Sequence, residues 1–404
     1  MNRENNLNFK YVIIGGGTSA LALSILIATK EGGDKVAVIE RLDRVGKKLL
    51  STGNGQCNVL PKSNETLNYH GENPSFFTEI LKKYDNDAIK EFLSSIGVTL
   101  TLEGDKYYPY SKQASSVVDA LRFKMQSLGV NVILGEKVIE LKKGKNFSAI
   151  CESGKTISAS KVIVATGGCS QKSFGTDGSG YKLLQNFGHT LTKVYPSIVQ
   201  LKTETSKIKG LKGLKHKVTL KAMVGGLEKA TFNGDLLFTD YGVSGNAVFY
   251  LSSYLYNGGE LKVDFCPDFS LEELTTIIEN KQEKCPYLTA EYLLSSIIPN
   301  KLACQVLRNS GYNLSGGITS LNAGEVARVI KNYSILVTGT MGFENSQVTK
   351  GGIKTQEFNL DMQSKLVSGL YAIGEVLDVD GDCGGFNVKW ALSSALALYG
   401  GLYD

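Results

Sequence analysis

Three histidines are all that occur among 404 residues, and the seven cysteines stand far apart, with no CxxC pair. So few imidazoles argue against a histidine-built metal centre. An odd, scattered set of thiols argues against both a disulfide framework and a zinc site. Long apolar runs are missing too. Tyr11–Ile14 follows directly on Lys10, and Leu21–Ala28 falls well short of the ~20 residues that a membrane-spanning helix needs. Three glycines interrupt the early apolar run and no cleavage site follows, so no signal peptide is expected. The expectation is a cytoplasmic chain with no membrane partner and no metal. Hydrophobic residues at 42% and charged residues at 21% describe an ordinary globular protein, long enough for two or three domains.

What the chain does have is a glycine pattern near its start. Lys10–Gly15 reads as a short buried strand, and Gly15-Gly16-Gly17-Thr18-Ser19-Ala20 fits GxGxxA. An apolar helix over Ser19–Thr29 and a second strand, Val36–Glu40, follow, the strand ending in an acid. Gly15 permits the tight strand-to-helix turn, Gly17 lets backbone approach a pyrophosphate, and Ala20 lets helix and strand pack closely. The helix N-terminus offers free N–H groups and the positive end of its dipole to phosphates. Glu40 is placed to accept hydrogen bonds from ribose hydroxyls. Strand, glycines, helix, strand and acid in this order define a Rossmann-type nucleotide-binding unit, which by itself serves FAD or NAD.

Later segments bear on that choice. Lys47, Lys48 and Ser51-Thr52-Gly53-Asn54-Gly55 form a small-residue loop after the acid. Such a loop suits an extended dinucleotide running towards an isoalloxazine ring, and equally a surface Gly-Asn-Gly turn. Ala114–Leu128 reads as an amphipathic helix with Val117, Leu121 and Met125 on one face, followed by strands over Val130–Leu134 and Val138–Leu141. Val138 falls where backbone could pair with an adenine edge. Lys161–Gly168 reads as a buried strand ending in a glycine turn. Near the C-terminus, Gly369–Glu375 reads as a strand, and Gly384-Gly385 open an apolar helix from Lys389 to Tyr399. A helix N-terminus is a good partner for the negative charge of a reduced flavin.

GGGTSA, STGNGQCN, YPYSKQASSVVDALR, ATGG with GTDGSGY, LLFTDYGVSG, QVTKGGI and GEVLDVDGDCGGFNVKWALSSA together resemble one family, the flavoproteins called BaiN-like, YhiN-like or aminoacetone-oxidase-like. The resemblance spans nearly the whole chain. It implies an α/β fold in which a Rossmann-type FAD-binding domain is interrupted by a β-rich domain and a small helical domain. Position by position it implies FAD contacts at Gly15, Gly17, Thr18, Ser19, Ala20, Glu40, Arg41, Lys48, Gly53, Asn54, Asn58, Val138, Thr166, Gly167, Gly374, Glu375, Asp382, Gly385, Phe386 and Asn387. The family usually has His where Asp240 stands and Pro where Asn246 stands, and commonly Pro-Thr in place of Asp382-Cys383. These departures leave the substrate open.

The domain boundaries expected are 1–195 with 342–404 for the FAD-binding domain, 196–268 with 316–341 for the β-rich insert, and 269–315 for the helical part. Short strands are read over Ile198–Lys202, Lys217–Met223, Lys229–Phe232, Asp235–Thr239 and Glu260–Phe265, and Ser270–Asn309 reads as helical from a cap at Ser270. Between Lys202 and Lys229 eight lysines face Glu204 and Glu228, a local net of 8 − 2 = +6. This is a solvated face or a docking surface for a polyanion such as RNA.

Catalytic candidates are Asp240, Asp380 and Lys389, with Asp378, Asp382, Cys383, Cys57 and Tyr241 behind them. The CxxxxC of disulfide reductases is absent. The function expected is an FAD-dependent oxidoreductase acting on a small molecule, with NADH or NADPH as a transient visitor because no second nucleotide fingerprint exists. The alternatives are a flavin-dependent reductase of uridine in ribosomal RNA, as the resemblance implies for some relatives, and a non-enzymatic flavin-bound interaction protein. Nothing in the sequence sets an oligomeric state.

Overall fold

The computed structural model describes residues 7–403. The chain forms two compact units, Met1–Tyr195 with Val348–Asp404, and Pro196–Gln347.

The first unit is built on a seven-stranded sheet. Leu7–Ile14 is the central strand, an apolar segment whose last four residues are buried on both faces, as parallel strands covered by helices require. It pairs in parallel with Val36–Glu40 on one side and Thr156–Val164 on the other. Asn131–Leu134 extends the sheet beyond Val36–Glu40. The far edge of Thr156–Val164 is shared. Residues 156–159 pair antiparallel with Phe147–Cys151, whereas residues 162–164 pair in parallel with Leu370–Ala372. The C-terminal segment thus returns to the sheet, and the parallel strands end together at Ile14, Glu40, Val164 and Ala372.

Helices cover this sheet. The first helix, Thr18–Glu31, is apolar all round and lies against the last helix, Phe386–Tyr403, and against Ala114–Ser127. Val117, Leu121 and Met125 are buried, as their spacing predicts. The far ends of the first and last helices are pinned by the Tyr403 hydroxyl, which donates to Glu31 at 2.6 Å.

The second unit contains a closed barrel ordered Leu201–Thr203, Gly242–Ser244, Leu227–Phe238, Lys215–Val224, Gly259–Asp264 and Tyr333–Thr340. Its helices, Leu271–Lys284, Asn300–Asn309 and Ala323–Lys331, share one core with it: Leu274, Leu302 and Val326 belong to the same buried cluster as Val218 and Leu261. Ser270 accepts from the Glu273 N–H, and the Glu273 side chain reaches back to the Ser270 N–H, completing the capping box.

One strand reading is corrected. Asn233-Gly234 reads as a break, but Leu227–Phe238 is one strand. Gly234 is there for close approach: a Cβ on it would stand 2.6 Å from the Asn246 Oδ1, which accepts from the Asp235 N–H. Gly234→Ala should displace the Asn246 amide and cost about 1 kcal/mol in urea unfolding. Asn246→Ala removes the same bond, so the double variant should cost less than the sum of the two. Additive costs would show that the two residues are not coupled.

Candidate functional site

In an open parallel sheet, ligands bind outside the carboxyl ends of the strands. That edge is where the expected site residues gather. Gly15 leaves the first strand at φ +102°, and a Cβ on it would stand 2.5 Å from the Ala165 carbonyl oxygen. Only glycine permits both that dihedral and that closeness. The turn therefore touches Thr166, at the end of Thr156–Val164, and Gly180 in turn lies against the Thr166 side chain.

Gly17 has a different reason to be glycine. Its φ of −82° is open to any residue, and a Cβ on it would meet no atom within 4 Å. Neither backbone strain nor packing demands glycine here. The first helix begins at once, with no side-chain cap and no acid in its first turn. Backbone N–H groups at Thr18, Ser19 and Ala20 thus lead the helix without a capping side chain. An uncrowded helix N-terminus of this kind is what a pyrophosphate requires.

Glu40 is buried at the end of the second strand. Its Oε2 accepts from the Gly16 N–H at 2.7 Å and its Oε1 from the Leu42 N–H at 2.8 Å. The carboxylate fixes the glycine turn and still has lone pairs for hydroxyl donors. Arg41 is paired with Asp177, which also takes Lys137 at 3.0 Å. Burial works against that carboxylate, but hydrogen bonds from Ser179, Arg41 and Lys137 hold it well below the usual range. Val138 follows Lys137 directly, and the Glu136 N–H bonds the Glu40 carbonyl at 3.1 Å, so Val138 lies close to this corner.

Lys48 reaches across to Glu375, Nζ to Oε2 2.7 Å, and the other Glu375 oxygen accepts from the Thr349 N–H at 2.8 Å. Gly167 sits beside the same carboxylate, and a Cβ on Gly374 would stand 2.9 Å from the Ser19 hydroxyl. The last helix clamps Gly374 from both sides: Trp390 Nε1 donates to its carbonyl at 3.1 Å, and its N–H donates to Ser394 at 3.0 Å. At the start of that helix Gly385, φ +96°, rests on the backbone of Asn58 and Leu60, with no room for a Cβ. Gly53 and Asn54 take left-handed conformations that bring the loop onto Asn58. The Asn387 amide is committed to Gly381, accepting from its N–H at 2.9 Å and donating to its carbonyl at 2.6 Å.

Sequence reading missed the support beneath this turn. Asp380–Gly381 pairs with Tyr69–His70. Asp382 accepts from Asn68 Nδ2 at 3.0 Å and meets His70 Nε2 at 2.9 Å, and the Tyr69 hydroxyl donates to the Phe386 carbonyl at 3.1 Å while its ring meets Phe386 edge-on. Two-residue pairings between segments about 310 residues apart leave no local signal.

Of the three catalytic candidates, Asp380 and Lys389 belong to the first unit and Asp240 to the second. Asp240 is exposed and paired with Lys212. Lys389 is fully buried and donates to Asn64 at 2.8 Å; burial pushes its ammonium down to about 8. Asp380 is enclosed, and neither of its carboxyl oxygens has a hydrogen-bond partner. Among the described residues no group of three or more His, Cys, Asp or Glu is arranged to hold a metal ion, and no helix is long and apolar enough to cross a membrane.

The fold and the residues gathered at the strand ends define the class, and the comparisons give the family. The chain matches the model of the HI0933-like protein Rossmann domain over residues 9–399, and it belongs to that family. It is 36% identical over 389 residues to the 3-dehydro-bile acid delta(4,6)-reductase of Clostridium scindens, covering 94% of this chain and 95% of that one. It is 28% identical to the ribosomal RNA dihydrouridine synthase of Haemophilus influenzae over 96% of both chains. A 3-ketosteroid-delta4-(5alpha)-dehydrogenase from Rhodococcus jostii shares the fold, with a TM-score of 0.53 at 15% identity over 98% of each chain. The chain is an oxidoreductase of this family.

Burial pushes the Asp380 carboxyl from 3.8 up to about 7. The folded chain therefore holds a proton that the unfolded chain releases between those values, and stability falls as pH rises through that window. Asp380→Asn should flatten this loss, measured as the difference in urea-unfolding free energy between pH 5 and pH 8. An unchanged difference would show that Asp380 ionises normally.

Proposed function

We propose that this chain is an FAD-dependent oxidoreductase that draws a hydride equivalent from NADH or NADPH and reduces a small molecule with a carbon–carbon double bond conjugated to a carbonyl. The observation that supports FAD is Gly17, a glycine that neither dihedral nor packing requires, held open before an uncapped helix. Gly385, pressed on Asn58 and Leu60, brings a second helix start to the same unit. A single nucleotide at one fingerprint does not need this second element; an extended dinucleotide ending in a flavin does.

The residues divide the work. Thr18, Ser19 and Ala20 present backbone N–H groups to the pyrophosphate, and Glu40 offers its remaining lone pairs to the ribose. Lys48 and Glu375, which hold each other, would lie beside the ribityl chain, and the start of the last helix would lie towards the ring. Bound FAD supplies hydride transfer, which no side chain here can supply. The double-bond substrate class is supported by what the two relatives' names have in common: a 3-oxo steroid diene and a uracil ring each present a double bond next to a carbonyl.

The RNA reading is supported by the second of those relatives and by Lys202–Lys229. Four lysines of that stretch are already paired, Lys212 with Asp240, Lys215 with Asp235, Lys217 with Asp268 and Lys221 with Glu228. Exposed pairs of this kind are worth ~0–1 kcal/mol, so phosphates can displace them at modest cost. NADPH oxidation with a conjugated enone, and with ribosomal RNA at two salt concentrations, separates the readings. Salt-sensitive turnover with RNA alone favours RNA.

Gly17→Val tests the cofactor. A Cβ there meets no protein atom within 4 Å, so the flavin-free protein should still fold, losing no more than the modest cost of a poorer N-cap residue, while FAD binding should be lost. A variant that keeps stoichiometric FAD, or acid-released flavin identified as FMN, contradicts the proposal.

A further inference from the structure

The Gly384-Gly385 turn has a neighbour with no part in the motifs of the chain. Lys106 opens the Lys106–Pro109 strand and pairs in register with Pro61. The adjoining residue, Leu60, is the backbone on which Gly385 rests. The same register carries the Lys106 side chain across the turn, where its Cε stands 3.2 Å from the position of a Cβ on Gly384. Its ammonium meets the Asp105 carboxylate at 3.3 Å, an 81% exposed group whose charge water and salt largely screen. The nearest buried acid in the loop, Asp382, is engaged with Asn68 and His70. The last helix, 18 residues long, has no acid in its first turn. Two positive features therefore meet at one turn, the helix end and a lysine, while of the buried acids before it Asp382 is engaged by Asn68 and His70 and Asp380 is held towards its neutral form by burial.

We propose that Lys106 is a positioning residue of the FAD site, whose ammonium joins the start of the last helix in holding the negative charge that reduction leaves at the pyrimidine edge of the ring. This rests on the FAD reading above. A hydride taken from NADH or NADPH brings two electrons and one proton, so the ring gains one net negative charge. A fixed cation beside that edge favours the reduced form without taking up the proton.

Sulfite titration reads the same charge without turnover. Sulfite adds its sulfur to N5 of oxidised flavin, and the displaced electron pair settles at the N1–C2 carbonyl edge. In purified protein carrying FAD, Lys106→Met should weaken sulfite binding roughly ten-fold, and the two-electron midpoint potential should fall by the equivalent, about 30 mV. Lys106→Arg should restore both. Asp105→Asn, which removes only the exposed and screened counter-charge, should leave sulfite affinity unchanged or slightly tighter. Acid-released FAD is measured in every variant. A wild-type protein that neither carries nor takes up FAD overturns the functional reading and this inference with it. FAD bound normally in Lys106→Met, with sulfite affinity and potential unchanged, overturns the inference alone. Sulfite affinity weakened in Asp105→Asn also contradicts it.

Discussion

The site depends on one pairing: three residues of the C-terminal return, Leu370–Ala372, lie in parallel against residues 162–164. Parallel strands share a direction, so their carboxyl ends lie along one edge. Without that pairing Gly374 would not reach Ser19, and Glu375 would not reach Lys48. The last helix follows from it, running in the same direction as the first, with the glycine turn at its start closed against Asn58 and Leu60. The Gly15–Ala20 turn and the Gly374–Gly385 segment meet at one edge because both ends of the chain contribute strands to one sheet.

Within that frame the glycines fall into two physical classes. Gly15 and Gly385 combine positive φ with backbone neighbours too near for a Cβ, so folding alone explains them. Gly17 has neither constraint, and it is the residue whose identity points outward. The carboxylates divide in a similar way. Glu40, Asp382 and Glu375 are each engaged by named donors, whereas Asp380 is buried without one. An enclosed acid of that kind costs stability on ionisation, which separates it from the three engaged carboxylates.

The strand, glycine turn, helix and strand that end at Glu40, the amphipathic helix at Ala114–Ser127 and the Ser270 cap were legible because each is a local pattern. Periodicity, turn chemistry and capping act within a few residues. The β-rich insert was legible as a class, but its closure into a barrel was not, and the Gly234 break was misread because close approach by Asn246 is a tertiary fact. Asn68, Tyr69, His70 and Lys106 carried no signal. They matter through bridges of two residues between distant segments, and no window of sequence contains both partners.

Amide hydrogen exchange of the flavin-free protein, with and without added FAD, tests most directly whether the two ends of the chain form one cofactor site. The account predicts protection that appears together at residues 15–20, 374–375 and 385–387, with a common dependence on FAD concentration, and no change in the Leu271–Lys284 helix. Protection confined to residues 15–20, with 374–387 exchanging as before, would contradict it.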